Sequence, residues 1–408
     1  MLCWLAFKQG ERNPMIDLTE RKQLVTAKFR QIYGRDPLVW ARAPGRVDLM
    51  GSHTDYNQGY VMTMTIDRDT WVAAAPRSDR RVAICSLNIE GCNEFSLEDL
   101  KLDAKRPHSS AEWTDYVAGV AWAMQLDGWP LSGFNGLVHS TVPFGSGLSS
   151  SAALEMSIGV TFEALGGYQV ERIQLAKLGQ QAENQYVGMN CGILDQFSST
   201  MGEADSTILL DCRNLAGQII PIAPELGVVI CDTRSERQLL GTEYSDRRAQ
   251  CEEGARILGK FYPGVVTLRD VSKEMISHHA TNLPDVVYRR CQFIVEENQR
   301  VLDLSRWLPG GDAACLGELF AASYAGARDL YEIIVPAMEA MYEAMITAPG
   351  VVGARQAGAG FGGCMVALVR KPSIELFTEF VCDTYTRLTG IQPKVFGVRA
   401  SNGAGRLV

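Results

Sequence analysis

The chain has 408 residues, of which 46% are hydrophobic and 21% are charged, and its formal net charge is -8. This length exceeds one ordinary hydrophobic core, so two domains are expected, and the composition excludes a disordered or fibrous chain. The negative charge argues against non-specific binding to nucleic acid or to an acidic membrane surface. No apolar run approaches the roughly 20 residues that span a bilayer, so no membrane partner is expected.

The first 14 residues join a short apolar piece, 2–7, to charged residues, an order that differs from a secretion signal. A start at Met15 is as plausible as one at Met1. The eleven cysteines form neither a paired CxxC array nor a zinc-ligand spacing. We therefore expect reduced, mostly buried thiols and a cytoplasmic location. The oligomeric state stays open, with a monomer favoured.

Two kinds of apolar pattern divide the rest of the chain into helices and strands. Helical spacing is found at 16–33, 113–126, 148–165, 170–187, 243–258 and 287–302. Short apolar runs typical of strands are found at 39–43, 70–75, 82–86, 207–210, 227–231, 365–369 and 395–400. This order favours an α+β fold over alternating βαβ units, with a second domain starting near residue 205.

A run of small residues, VPFGSGLSSSAA at 142–153, leads directly into a helical pattern. Glycines let backbone amides approach a phosphate, and the first amides of a helix lack internal partners and favour an anion. The run does not end in the GK[ST] of a Walker A sequence, so a phosphate-binding fold other than the P-loop is predicted. Taken alone, the run would also suit a serine-capped helix after a turn.

A second glycine-rich segment, GARQAGAGFGGC at 353–364, satisfies the GxGxxG pattern of dinucleotide-binding folds. A strand-like run follows it, whereas a Rossmann fingerprint leads into a helix, so dinucleotide binding is not expected. A third segment, at 43–57, reads APGRVDLMGSHTDYN. Together the three segments resemble the ordered signatures of the GHMP kinases, and 43–57 resembles galactokinases in particular.

The resemblance runs from about residue 40 to 370 and implies a fold, an activity and two ligands. The fold would be a two-domain GHMP kinase, with a ribosomal-protein-S5-like domain at 16–205 and a ferredoxin-like domain at 206–408. The active site would lie in the cleft between them. The activity would be transfer of the γ-phosphate of ATP, with Mg²⁺, to the C1 hydroxyl of galactose, which gives α-galactose 1-phosphate.

The resemblance also assigns roles to individual residues. Asp195 would accept the proton of the C1 hydroxyl, and Arg46 would contact both this carboxylate and the phosphoryl group. Mg²⁺ keeps water and phosphate oxygens as ligands, so Ser151 and Glu183 would suffice to hold it. The remaining assigned positions are the ATP-binding Trp113, Tyr116, Gly145, Ser146, Gly147, Leu148, Ser149, Ser150 and Ser151, and the sugar-binding Ser52, His53, Asp55, Gly192 and Tyr244.

Ser52 departs from the family, because galactokinases carry there a glutamate that accepts from the C6 hydroxyl of the sugar. A carboxylate at this position would repel a uronic acid, whereas a serine could donate to it. Galacturonate and L-arabinose therefore stay as alternatives to galactose, which Asp55, Tyr56 and Asn57 favour. A sugar sensor without catalysis is the alternative outside the enzymes, and the intact serine run argues against it.

Overall fold

A computed structural model of the protein describes residues 17–101, 112–189, 191–235 and 242–407. The expectations about residues 1–14 and a start at Met15 lie outside these residues. Within the described ranges, none of the helices is both long and apolar enough to cross a membrane.

Helices and strands follow one another in an irregular order. The helices are α1 (Leu18–Tyr33), α2 (Trp113–Leu126), α3 (Ser150–Gly166), α4 (Arg172–Gln181), α5 (Leu194–Met201), α6 (Thr242–Leu258), α7 (Lys273–His278), α8 (Asp285–Trp307), α9 (Ala313–Asp329), α10 (Pro336–Ile346) and α11 (Ile374–Thr389). The strands are β1 (Val39–Met50), β2 (Tyr60–Pro76), β3 (Arg81–Ser86), β4 (Cys92–Ser96), β5 (Phe134–Ser140), β6 (Ser206–Asp211), β7 (Ala216–Pro221), β8 (Leu226–Asp232), β9 (Val351–Gln356), β10 (Cys364–Arg370), β11 (Lys394–Val398) and β12 (Gly405–Arg406). Every predicted element is present, α2 with the predicted ends and the others with ends moved or lengthened, so the α+β prediction is confirmed.

The larger sheet has the strand order β12-β1-β2-β5-β3-β4, and β6 and β7 extend it beside β2. Successive side chains of a strand point to opposite faces, and β2 shows this directly. Val72 and Ala74 belong to the core under α2 and α3, whereas Ala73 and Ala75 pack with Phe29 of α1. The central strands are therefore buried on both faces, which explains their continuous apolar sequences.

The smaller sheet is antiparallel and has the order β11-β8-β10-β9. In chain order this is 4-1-3-2, with helices between the first and second and between the third and fourth strands, which is the ferredoxin-like arrangement. Val229 and Met365 face a core that α10 and α11 complete. Ile230 and Val366 face the other way, into a core shared with Leu49 of β1. The predicted two-part fold is confirmed, and this shared core joins its parts.

The chain changes from one sheet to the other later than the sequence predicted. β6 and β7 follow residue 205, yet they pair with β2 and with each other in the larger sheet. The end of the chain also returns there, where β12 pairs with β1. By sheet membership, the first unit therefore runs to Pro221, beyond the predicted division between 16–205 and 206–408. Strand pairing decides this limit, and composition does not reveal it.

The cysteines also require a correction. Cys85 and Cys92 lie opposite each other on β3 and β4 and form a disulfide, so the expectation of reduced thiols is wrong for this pair. The hairpin register brings the two thiols together, and a separation of seven residues in an ordinary sequence does not disclose such a register. Eight other described cysteines form no disulfide within the described ranges, and four of them are buried.

A buried arginine fixes α1 to the larger sheet. The guanidinium of Arg21 donates to Oδ1 of Asp69, to Nδ1 of His139 at 2.8 Å and to the His139 carbonyl at 2.7 Å. Burial alone would raise the pKa of Asp69, but Arg21 and Arg42 together hold it below its ordinary value. Burial lowers the pKa of His139 to about 4, in keeping with a neutral ring that accepts from Arg21.

Replacement of Arg21 by alanine should reduce the free energy of unfolding by about 3 kcal/mol, because Asp69 stays buried with only one of its two partners. The matched control is Arg30→Ala on the same helix, where the partner is the exposed Asp36 and the expected loss is under about 1 kcal/mol. Urea unfolding followed by circular dichroism measures both. Equal losses would contradict this account of α1.

Candidate active site

The three sequence segments come together at the edge of the shared core. A Cβ atom at Gly45 would lie 2.6 Å from the Leu148 carbonyl oxygen, so only glycine allows this approach of β1 to the serine run. The Arg46 amide donates to the same carbonyl at 3.1 Å. A Cβ atom at Gly358 would lie 3.9 Å from the Gly147 carbonyl oxygen. All three segments therefore border one site.

Arg46 and Asp195 form an ion pair at the centre of this site. Nε of Arg46 donates to Oδ1 of Asp195 at 3.0 Å, Nη2 donates to the same oxygen, and Nη1 donates to the Gly147 carbonyl at 2.7 Å. Burial alone would lower the pKa of Arg46, but Asp195 and Asp48 raise it above its ordinary value. The guanidinium is therefore a fixed positive charge between the predicted catalytic carboxylate and the serine run.

Asp48 is a buried carboxylate that the sequence interpretation missed. Its Oδ1 lies 3.2 Å from Nε of Arg46, and burial raises its pKa. The available signal was its position two residues after Arg46 in a strand, because side chains at this spacing share a face. Arg46 is therefore flanked by two carboxylates instead of one.

The serine run forms the turn before α3. Gly145 and Gly147 have φ values of 69° and 83°, and Ser149 has a φ of 60°, which is unusual for a residue with a side chain. The Ser146 hydroxyl donates to the Pro143 carbonyl at 2.8 Å. Within the described ranges, the buried Ser149 hydroxyl has no hydrogen-bond partner, and it does not cap the helix. The Ser149 side chain therefore does not occupy the first amides of α3, and the predicted anion site at 145–151 stays a prediction.

A second cluster of carboxylates lies beside the start of α3. Glu183, in the π-helical turn Ala182–Val187 after α4, accepts from Nε2 of Gln196 at 2.6 Å, and Glu155 accepts from the same nitrogen at 2.8 Å. Burial, followed by the charge of Asp195, raises the pKa of Glu183 to about 7, although a hydrogen bond from Ser151 opposes the shift. The structure therefore brings together Ser151 and Glu183, the two predicted Mg²⁺ ligands.

The donor set suits Mg²⁺ only when other ligands join it. Among the described residues, no group of three or more His, Cys, Asp or Glu side chains could hold a metal ion. A hydroxyl and one carboxylate are hard oxygen donors of the kind that Mg²⁺ uses together with water and phosphate oxygens. Glu155 was missed by the sequence interpretation, although its position four residues after Ser151 on α3 places it on the same helix face.

The predicted adenine aromatics lie on α2. Trp113 is the first residue of the helix, and both Trp113 and Tyr116 are half-buried against the core under the larger sheet. Burial raises the pKa of Tyr116, and the charges of Glu183 and Glu155 raise it further. Tyr116 therefore lies close to the carboxylate cluster, and Trp113 lies at the start of the helix, three residues earlier in the chain.

On the predicted sugar side, Asp55 packs directly against Gly192. A Cβ atom at Gly192 would lie 2.1 Å from Oδ2 of Asp55, so a side chain cannot fit there unless the carboxylate moves. Burial raises the pKa of Asp55 to about 6, and the charges of Asp48 and Asp195 add to the shift. The half-buried Tyr244 lies nearby, and desolvation, followed by the charge of Asp55, raises the pKa of its hydroxyl.

The other two predicted sugar residues are engaged by protein groups. Nδ1 of His53 lies 2.9 Å from the Tyr56 hydroxyl, and Nε2 lies 2.9 Å from the Ala359 carbonyl oxygen. The Ser52 hydroxyl accepts from Nη2 of Arg355 at 3.1 Å, and only 2% of Ser52 is exposed. Arg355 was part of the segment at 353–364, but no role was predicted for it.

Arg355 belongs to a buried ionic network. Its Nη2 lies 3.1 Å from Oε1 of Glu297, and both side chains are fully buried. Glu297 also accepts from Nε of Arg300 at 2.7 Å and from the Gly51 amide at 3.1 Å. Glu296 lies 3.3 Å from Nη1 of Arg300, so two carboxylates face the two guanidiniums, and the charge beside Ser52 is already matched within the protein.

Three family models match the chain: the galactokinase galactose-binding signature at residues 27–76, the GHMP kinases N terminal domain at residues 115–203 and the GHMP kinases C terminal at residues 303–387. Fold and site thus define a kinase of the GHMP class. A galactokinase from Roseiflexus sp. (strain RS-1) is 39% identical over 394 residues, which cover 97% of this chain and 98% of that protein. One from Chloroflexus aurantiacus is 39% identical over 371 residues, 90% of this chain and 94% of that protein. The chain belongs to the galactokinase family.

Solved structures agree with this assignment. Lactococcus lactis galactokinase complexed with galactose has a TM-score of 0.88 and 32% identity, over 94% of this chain and 99% of that chain. Methanococcus jannaschii mevalonate kinase has a TM-score of 0.63 and 16% identity, over 89% and 98%, and shares the fold. The predictions of family, kinase class and ATP as co-substrate are confirmed.

Gly192→Ala should raise the KM for the sugar about 10-fold to 100-fold, because the new methyl group displaces the Asp55 carboxylate. The KM for ATP should change little. The matched control is Gly310→Ala, where a Cβ atom would meet no atom within 4 Å. Steady-state kinetics with both substrates varied measures the two KM values. An unchanged KM for the sugar would mean that Asp55 does not bind the sugar.

Proposed function

We propose that this chain transfers the γ-phosphate of ATP to the C1 hydroxyl of galactose and releases α-galactose 1-phosphate. The observation that carries the proposal is the pair of Arg46 and Asp195 beside the serine run at 145–151. Phosphoryl transfer needs an acceptor for the hydroxyl proton and positive charge beside the transferring group. Relatives named galactokinase, and the Lactococcus lactis structure complexed with galactose, support galactose as the acceptor.

Asp195 would take the proton of the C1 hydroxyl. Both contacts from Arg46 go to Oδ1, which leaves Oδ2 for the substrate. The Asp195 side chain is 28% exposed, whereas that of Arg46 is 8% exposed, so a sugar can reach the carboxylate while the guanidinium stays fixed. Asp195 also lies in the first turn of α5, where the helix dipole favours negative charge.

The triphosphate would bind the first amides of α3, with the adenine toward Trp113 and Tyr116. Glu183 and Ser151 would hold Mg²⁺ together with phosphate oxygens, as their proximity supports. When bound, this ion neutralises charge on the phosphates. Arg46 would add positive charge at the transferring group without reorganising, because the Gly147 carbonyl and two carboxylates fix it.

Galactose remains the favoured sugar despite Ser52. A uronic acid would need an unmatched positive charge near C6, and Arg355 is the charged group that contacts Ser52. Glu297 already pairs with this guanidinium, so a sugar carboxylate would have to compete with a buried ion pair. Galacturonate and L-arabinose therefore stay secondary candidates. The intact pair of Arg46 and Asp195 argues against a sensor without catalysis.

The partners in this proposal are small molecules, namely the sugar and ATP. It requires neither nucleic acid nor a membrane, and we propose that the chain acts as a monomer in the cytoplasm. The eight cysteines of the described ranges that form no disulfide support a reducing compartment, whereas the Cys85–Cys92 disulfide is unusual for one.

The proposal predicts ADP release with galactose that depends on Asp195. A coupled assay should test galactose, galacturonate, L-arabinose, glucose and N-acetylgalactosamine with the parent and with Asp195→Asn. The variant should lose about 100-fold to 10,000-fold in kcat, because the amide cannot accept the proton. Asp36→Asn, at an exposed carboxylate paired with Arg30, is the control. Equal turnover by the parent and Asp195→Asn would refute the proposed role of Asp195.

Substitution at Ser52 tests how the site distinguishes sugars at C6. Ser52→Glu should raise the ratio of kcat/KM for galactose to that for galacturonate at least about 10-fold, because the new carboxylate repels that of the uronate. Ser52→Ala removes the hydroxyl without adding charge and should leave the ratio within about 3-fold. An unchanged ratio in Ser52→Glu would mean that residues other than Ser52 distinguish sugars by their substituent at C6.

A further inference from the structure

We propose that His53 is a positioning residue that ties the sugar-side loop, residues 51–57, to the glycine loop, residues 357–363. Through this tie, a sugar that orders the first loop also orders the second, beside the phosphate-binding serine run. The inference rests on the proposed function, because that function assigns the sugar and the phosphates to these loops.

The hydrogen bonds of the His53 ring carry the proposal. The Ala359 carbonyl can only accept, so Nε2 carries the proton and donates to it at 2.9 Å. Nδ1 must then accept from the Tyr56 hydroxyl, also at 2.9 Å. Tyr56 in turn accepts from the Tyr331 hydroxyl at 2.7 Å. Neither ring nitrogen is left for a sugar hydroxyl unless one of these bonds breaks.

The surroundings of His53 hold the ring in this position. It packs between the rings of Tyr56, Tyr244 and Tyr331, with centroid distances of 5.8, 5.4 and 4.9 Å, and 4% of the residue is exposed. Its backbone φ is 66°, a conformation that a residue with a side chain keeps only where the structure around it enforces it. Burial also lowers the pKa of His53 to about 4, which keeps the ring neutral.

The glycine loop needs such an external contact. Four of its residues, Gly358, Gly360, Gly362 and Gly363, are glycines with positive φ, and glycine has little conformational preference of its own. The Phe361 amide donates to the Ile333 carbonyl at 2.8 Å, which holds the far side of the loop. His53 holds the near side through Ala359.

The same loop lies against the phosphate-binding segment. The position of a Cβ atom at Gly358 is 3.9 Å from the Gly147 carbonyl oxygen and 3.9 Å from Oδ2 of Asp48. Gly358 has no such atom, so a narrow gap separates it from the carbonyl that fixes Arg46, and a shift of the glycine loop would close or widen this gap. This proximity would connect the sugar-side loop, through His53 and the glycine loop, to the phosphate-binding segment. It predicts that the two ligands bind with positive coupling.

The test is His53→Phe, which keeps an aromatic ring among the three tyrosines and removes both hydrogen bonds. Titration calorimetry measures the Kd of AMP-PNP with Mg²⁺, alone and with saturating galactose, and hydrogen exchange measures protection of residues 357–363. The Kd of AMP-PNP should rise about 5-fold to 10-fold, which corresponds to the free energy of one lost hydrogen bond. Protection of 357–363 should fall, and galactose should no longer tighten AMP-PNP binding.

Tyr56→Phe is the second variant and removes only the hydroxyl that holds Nδ1. It should shift the AMP-PNP Kd and the exchange of 357–363 in the same direction by a smaller factor. Tyr342→Phe, in a tyrosine stacked on Tyr324 outside the site, is the matched control and should change neither.

A rise in the galactose Kd alone, with AMP-PNP binding and exchange at the parental values in both variants, would overturn the proposal and make His53 an ordinary sugar ligand. The proposed function fails by a different result, namely no ADP release by the parent with any tested sugar. Because AMP-PNP binding and exchange need no turnover, the two failures are distinguishable.

Discussion

The buried ion pair of Arg355 and Glu297 holds the two parts of the protein in register. Arg355 comes from β9 of the smaller sheet, and Glu297 comes from α8, yet both bond to the end of β1. Arg355 donates to the Leu49 carbonyl and Glu297 accepts from the Gly51 amide, each at 3.1 Å. A pair without exposed surface is costly to desolvate, so it persists only with such additional hydrogen bonds. The sugar-side loop starts from this fixed point.

The charges of the site are concentrated around one guanidinium. Asp48 and Asp195 both contact Arg46, and their charges also raise the pKa of Asp55 after burial. Burial of Glu183, followed by the charge of Asp195, raises the pKa of Glu183 to about 7. The carboxyl groups named here therefore outnumber the one guanidinium among them, at the place where a triphosphate would bind. An Mg²⁺ ion that accompanies the nucleotide would offset this excess, which agrees with the two oxygen donors that lie together there.

Local sequence patterns predicted the helices and strands well, but they did not predict which strands pair when these lie far apart in the chain. The pattern at 113–126 predicted both ends of α2 correctly, although the helix is buried on more than one face, since every residue from Val117 to Met124 is buried. Membership of β6 and β12 in the larger sheet depends on partners far away in the chain, and no local pattern carries that information. The opposition of Cys85 and Cys92 likewise depends on strand register.

Residues of the candidate site that belong to a sequence motif could be predicted. Contacts that form only when distant parts of the chain fold together could not. Arg46, Asp195 and the serine run were found by resemblance, and the structure places them together. Arg355 lies 303 residues from Ser52, so only the folded chain reveals that they touch. His53 was assigned to the sugar from its motif, whereas its ring bonds point to a loop 306 residues away. Resemblance supplies residue identities, and packing decides which atoms remain free.

The core that both sheets share limits how this enzyme can open. Leu49 and Met64 from the larger sheet pack there with Ile230 and Val366 from the smaller sheet, all with 1% exposure or less. A rigid rotation of one part away from the other would expose these side chains to water, and large apolar interfaces resist such hinge motion. Rotation of one part is therefore an unfavourable way to admit substrates, and any opening of the site would fall to the loops that border it. The pace of product release would then depend on short segments rather than on whole-domain closure.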